Sequence, residues 1–189
     1  LTIITQDHPG LFSRIAGAVT MAGGQVVYAR INTRKDGTIL DEFMIQTLEK
    51  SSVKEPETLF RIKKMIDDTL AGKIILAEQL GKKTKTISKR QKAMLTVPRV
   101  TITNQMSNTH TVLEISGPDR PQLLYDLTRK IAQLGLQINS ASVSTYGDRA
   151  VDVFYVKDIF GMKIKTDMMI EKIRTSLLQV LKQSEKDQL

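Results

Sequence analysis

The sequence predicts an α+β protein made of two βαββαβ units with antiparallel sheets, joined by a basic linker. Three observations predict it: the chain repeats itself, each copy alternates strand-like and helix-like periodicity in the same order, and one acid-free stretch separates the copies. The repeat has a constant offset of 112 residues. Asp7, Pro9 and Leu11 match Asp119, Pro121 and Leu123; Gly23 matches Gly135, Ala29 matches Ala141, and Thr33 matches Thr145. Further on the offset becomes 111, with Asp41 and Phe43 matching Asp152 and Phe154, as a one-residue change in a hairpin loop requires. Self-similarity at a fixed offset marks a duplicated structural unit.

Each copy opens with a short apolar strand, residues 2–5 and 111–116, followed by a turn carrying Asp and Pro. A helix follows. Leu11, Ile15, Ala18, Val19 and Ala22 fall on one face of a 3.6-residue period, as do Leu123, Leu127, Ile131 and Leu134. Gly23 and Gly135 stop these helices, where the backbone needs positive φ. A hairpin comes next in both copies, 25–33 with 39–48 through Lys35-Asp36-Gly37, and 137–145 with 150–156 through Gly147-Asp148. A second helix closes each unit. Its stripe is Leu59, Ile62, Ile66 and Leu70 in one copy, entered through Pro56, and Ile170, Ile173, Leu177 and Leu181 in the other. Residues 99–106, with Val100 and Ile102 alternating, supply a last strand that completes the first copy as a ferredoxin-like βαββαβ unit. The expected division is therefore 1–80 plus the strand 99–106, a linker at 81–98, and a second unit at 107–189. The polar end of the second copy offers no equally clear final strand.

Composition narrows the classes. The chain has 189 residues, 41% of them hydrophobic and 25% charged, which is ordinary for a water-soluble domain pair. No apolar run approaches the roughly 20 residues of a membrane span, and no signal-peptide pattern opens the chain. With no Cys there is neither a disulfide framework nor a thiolate metal site, and a cytoplasmic location is the expectation. The chain enters directly into Leu1-Thr2-Ile3-Ile4, so further sequence is expected upstream. The net charge of +8 is local: Lys82, Lys83, Lys85, Lys89, Arg90, Lys92 and Arg99 fall in a stretch with no acidic residue, leaving +1 for everything else. That concentration reads as a solvated linker.

The turn Asp7-His8-Pro9-Gly10-Leu11 carries the most chemistry. Pro suits a first helical turn, and Gly10 lacks a Cβ, so a ligand can approach the exposed backbone N–H groups. Those groups and the helix dipole suit a carboxylate, while Asp7 is placed to accept from an ammonium group, so an amino acid zwitterion satisfies both. Asp ahead of a helix also serves as a plain N-cap, and Pro with Gly as a plain turn. In the second copy the turn is Asp119-Arg120-Pro121-Gln122-Leu123, where Gln122 adds a side chain against the ligand. The two sites should differ, the first being the more competent.

This turn inside a βαββαβ unit resembles ACT domains, which bind amino acids in regulated enzymes, usually between paired domains. The tandem arrangement, with Val100-Thr101-Ile102-Thr103-Asn104, Gly117-Pro118-Asp119-Arg120-Pro121 and Asp152-Val153-Phe154-Tyr155-Val156-Lys157-Asp158, is similar to the end of the bifunctional protein-P-II uridylyltransferase and uridylyl-removing enzymes. That family has Gly at the position of Gln122. The resemblance implies L-glutamine as an allosteric ligand, control over catalytic domains upstream in the same chain, and the P-II regulatory protein as the parent's substrate. It also implies magnesium for the parent's catalytic domains and no cofactor for these residues. In paired ACT units the ligand lies between the turn of one copy and the start of the second strand in its neighbour. Carried over, Asp7, His8, Pro9, Gly10 and Leu11 face Gln137 and Ile138, while Asp119, Arg120, Gln122 and Leu123 face Gln25 and Val26.

Other chemistries find little support. His8 and His110 have no partner His or Cys at a metal-ligand spacing, and no Ser sits in a nucleophile elbow. Asp41-Glu42 and Asp67-Asp68 read as hairpin edges and solvated faces. An RNA-recognition fold shares the element order, but its third strand should carry stacking aromatics, and Phe154 and Tyr155 as neighbours point to opposite faces. Nucleic acid is disfavoured on that ground. A stand-alone sensor and a dimerisation module remain the other readings, the second because exposed edge strands can pair between chains.

Overall fold

A single seven-stranded antiparallel sheet carries both copies. It is seen in a computed structural model that describes residues 1–6, 8, 10–31, 34, 36–47, 55–81 and 97–186. Asp7 and Pro9 of the first turn, and most of the basic linker, lie outside the described residues. The first copy forms β1 (Thr2–Gln6), α1 (Leu11–Met21), β2 (Gly24–Arg30), β3 (Thr38–Thr47) and α2 (Glu55–Leu70), followed by a short helix α3 (Leu76–Gly81). The second forms β4 (Arg99–Thr103), β5 (Thr111–Pro118), α4 (Leu123–Gln133), β6 (Leu136–Tyr146), β7 (Arg149–Asp158) and α5 (Asp167–Lys186). The order across the sheet is β1-β3-β2-β6-β7-β5-β4, with β2 and β6 meeting in the middle through Arg30 and Ser142.

The strands alternate as a sheet with one covered face must. Ile39 and Phe43 in β3, and Ala150, Phe154 and Val156 in β7, are buried beneath the helices, and one apolar cluster runs through both copies. Gly23 and Gly135 hold positive φ after α1 and α4, as their place in the pattern requires. β2 and β6 each shift register at the same point of the repeat, between Val26 and Tyr28 and between Ile138 and Ser140. Such a bulge re-aims the residues beside it, here the two strand starts.

Three expectations need correction. Residues 99–106 do not complete the first copy: β4 pairs with β5 at the far edge, Val100 opposite Ile115 and Ile102 opposite Leu113. A seven-residue connection makes that hairpin the local closure, and it is pinned where Asn104 donates to the Ile164 carbonyl at 2.8 Å and accepts from Thr111 Oγ1 at 2.7 Å. The second copy thus takes its fourth strand from ahead of itself, and among the described residues β1 has no such neighbour. In α2 the buried stripe is Thr58, Ile62, Ile66 and Thr69, while Leu59 is 55% exposed, because the helix is rotated toward α1 by one residue. The helix α3 is absent from the sequence reading, its Leu76 and Leu80 being a single i, i+4 pair with no period to detect.

Two clefts between the units

The sheet join sets the geometry of the candidate site. Because β2 and β6 run antiparallel side by side, each first helix opens toward the start of its neighbour's second strand. His8, Gly10 and Leu11 line one cleft with Gln137 and Ile138. Asp119, Arg120, Gln122 and Leu123 line the other with Gln25 and Val26. The structure brings those predicted residues together in these two groups. The walls correspond by the repeat: Gly10 with Gln122, Gln137 with Gln25, Thr128 with Ala16, and Asp41 with Asp152.

Their contents differ. The cavity at Gly10 holds about 110 Å³ and the one at Gln122 about 30 Å³. Gly10 and Gln122 both adopt left-handed backbone ahead of their helices, with φ of 79° and 68°. Gln122 is the only non-glycine with positive φ among the described residues, so the turn keeps its shape in the second copy at the cost of strain and a buried side chain. Across the cleft Gln25 Nε2 donates to Asp119 Oδ2 at 2.7 Å, tying one unit to the other through the space a ligand would enter.

Neither helix start has a side-chain cap. The first amide of each is nevertheless engaged within the turn, Leu11 N donating to His8 O and Leu123 N to Arg120 O, both at 3.1 Å. Ser13 Oγ donates to the Gly10 carbonyl at 2.8 Å. The Arg120 guanidinium is 2.7 Å from Asp126 and donates to the carbonyls of Pro121 and Val180, which docks the turn on α5. Leu11 and Leu123 are buried in the core and contribute shape.

Sequence reasoning missed the carboxylates of Asp41 and Asp152. Asp41 was placed at a solvated hairpin edge, yet both are 2% exposed and line the clefts. The signal was available: both Asp residues hold the inward phase of their strands, between Ile39 and Phe43 and between Ala150 and Phe154, and both copies keep them. Burial pushes Asp152 up to about 7, with the nearby charge of Asp119 adding to the shift and an N–H from Ser144 opposing it. Burial also raises Asp119, against the lowering effect of its bonds from Gln25 and the Arg120 backbone.

Among the described residues no group of three His, Cys, Asp or Glu is arranged to hold a metal ion. Nor, among the described residues, is any helix long and apolar enough to cross a membrane. Phe154 lies fully buried on the helix-covered face, so it cannot pair with Tyr155 as a base-stacking platform.

Fold and clefts together define a pair of ACT-like units. Residues 99–186 match the family of ACR9-like, ACT-like domains. The chain is also 44% identical over 182 residues to the bifunctional uridylyltransferase/uridylyl-removing enzyme of Rhodospirillum rubrum, and 43% identical over the same length to that of Gluconobacter oxydans. The enzyme of Azospirillum brasilense is 44% identical over 182 residues. Each match covers 96% of this chain but only 19–20% of the relative. Residues 99–186 belong to the ACT-like domains, and the chain is similar to one part of these bifunctional enzymes, spanning about a fifth of the length of the relatives it matches. Among solved structures, an unknown protein from Galdieria sulphuraria aligns over 96% of this chain and 90% of its own, at a TM-score of 0.31 and 14% identity, too low to bear on the fold.

Proposed function

We propose that this chain is the amino-acid-sensing part of a uridylyltransferase/uridylyl-removing enzyme and that L-glutamine binds in the cleft at Gly10. The observation that carries the reading is that cleft: open, polar on several sides, and walled by both units. A zwitterion there has its carboxylate toward the uncapped start of α1, its ammonium toward the carboxylate of Asp41, and its side-chain amide toward Gln137. A ligand touching both units favours one packing of the pair over another, and only such differential affinity can bias catalytic domains elsewhere in the parent. In this reading those domains lie upstream, use magnesium, and act on the P-II regulatory protein in the cytoplasm. The edges β1 and β4 offer pairing to a second copy.

Calorimetry with glutamine, with glutamate and serine as controls, tests the ligand. Gly10→Leu is expected to weaken glutamine at least about tenfold, or 1.4 kcal/mol, while Gln122→Ala has a smaller effect. Equal effects would refute the assignment to the first cleft. Silence toward all three amino acids would refute amino-acid sensing altogether.

A further inference from the structure

We propose that the small cavity at the start of α4 is a site for a protonated nitrogen, an ammonium ion or a primary amine head group, held between the carboxylates of Asp119 and Asp152. It is separate from the cleft at Gly10 and does not depend on glutamine binding there.

The first observation is a vacancy in hydrogen bonding. Asp152 sits on the covered face of the sheet, and its Oδ1 is fully buried with no partner. The only bond to this carboxylate among its local influences comes from the Ser144 backbone N–H. A buried acceptor left without a donor costs about 1–3 kcal/mol, so the fold retains Asp152 against a stability penalty. The second is size. About 30 Å³ accommodates a group of one or two waters' bulk and excludes a whole amino acid. The third is the character of the walls. Asp119, Asp152, the Gln25 carboxamide oxygen and the hydroxyls of Thr20 and Thr145 are acceptors, matching a group that is all donors. The nearby cation, Arg120, lowers Asp119 by its charge while its guanidinium bonds Asp126 and two carbonyls, and Asp152 Oδ1 stays without a donor.

The charged groups around Asp152 are Asp119 and Arg120 at the turn, with Asp126 paired to Arg120 and Asp148 acting on Asp119 from the β6–β7 hairpin. β2, β6 and α1 bring uncharged side chains to the cavity. Burial raises both carboxyls, and the charge of Asp119 adds to the rise at Asp152, which titrates at about 7. Below that value the Asp152 carboxylate is neutralised by a proton. A protonated nitrogen replaces it: the amine N–H donates to Oδ1, Asp152 loses its proton to solvent, and the net charge of the pocket is unchanged.

The test is thermal unfolding and calorimetry of this chain with ammonium chloride and methylammonium chloride, against potassium and tetramethylammonium chloride at equal ionic strength. Ammonium or methylammonium is expected to stabilise while the two control salts do not, and affinity should fall about tenfold from pH 8 to pH 6 as Asp152 is protonated. Asp152→Asn, which keeps shape and removes the charge, should abolish the response and its pH dependence while glutamine binding at Gly10 persists. A second glutamine event lost in Asp152→Asn while ammonium is inert would show that a whole amino acid enters here and would overturn the assignment to a small protonated nitrogen. Equal stabilisation by potassium, an undiminished ammonium response in Asp152→Asn, or no amine response of any kind would overturn it. Failure of glutamine binding in the parent chain alongside a retained ammonium effect would sink only the sensing reading.

Discussion

At the residue scale the molecule is governed by small differences between two copies of one turn. Gln122 holds a backbone conformation that costs a non-glycine residue about 1–2 kcal/mol, whereas glycine adds roughly 0.4–1 kcal/mol of chain entropy to the unfolded state. Gln122→Gly is therefore expected to stabilise by less than about 1 kcal/mol, read as a higher urea midpoint at unchanged slope, and to enlarge the second cavity. A clear loss of stability would mean that the buried Gln122 side chain packs well enough to outweigh its strain. Asp152 sets a second prediction. Its folded value of about 7 lies above the 3.8 of an exposed carboxyl, so between these values the folded chain holds a proton that the unfolded chain has released. Stability should fall as pH rises from about 4 to about 7, by a few kcal/mol, and then level off. Asp152→Asn should flatten that slope, and a slope unchanged in the variant would show that another group carries the linkage.

At the scale of elements, α1 is pressed between the sheet, α2, α3 and α4, and Gly17 is where it comes closest to the last two. A Cβ there would stand 2.8 Å from Leu76 Cδ1 and 2.8 Å from Tyr125 Cδ2. Ala is the better helix former by up to about 1 kcal/mol, but overpacking against the Tyr125 ring, which is fixed on α4, costs about 1–3 kcal/mol. Gly17→Ala should therefore destabilise, and a higher melting midpoint in that variant would mean that the ring swings aside. Here the sequence was only partly legible. Helices and hairpins with two or more turns of period showed plainly, as in Leu123, Leu127 and Ile131. The short α3 has one apolar pair, and the partner of β4 is decided by which strand lies within reach of a seven-residue loop, a tertiary choice that no periodicity encodes. The pairing of Gly10 with Gln137 and of Gln122 with Gln25 came from the duplicated turn and the family resemblance, while the buried acids were hidden by reading Asp41 with its neighbour Glu42 instead of with the inward phase of β3.

For the whole molecule the question is whether two copies make two bodies or one. Backbone pairing between them is slight, Arg30 opposite Ser142, so the join rests on side chains. Phe12 stands at its centre, 5.8 Å between ring centroids from Phe43 of its own copy and 6.4 Å from Phe154 of the other. The apolar cluster that contains all three runs without a break from α2 to α5. A core shared in this way should melt in one transition, with calorimetric and van't Hoff enthalpies equal. Phe12→Ala removes the ring that both copies touch and should cost about 3–5 kcal/mol, more than an equivalent truncation at either end of the sheet. It should also split or broaden the transition, since the copies would retain their own strands and helices while losing what couples them. The same coupling is what a ligand in the Gly10 cleft would exploit: bound to both units, it should move the single transition of the parent chain to higher temperature as a whole. Two resolved transitions in the unmutated chain, or a ligand that shifts only one of them, would show that the clefts lie between separately folding bodies and that binding at one unit leaves the other unchanged.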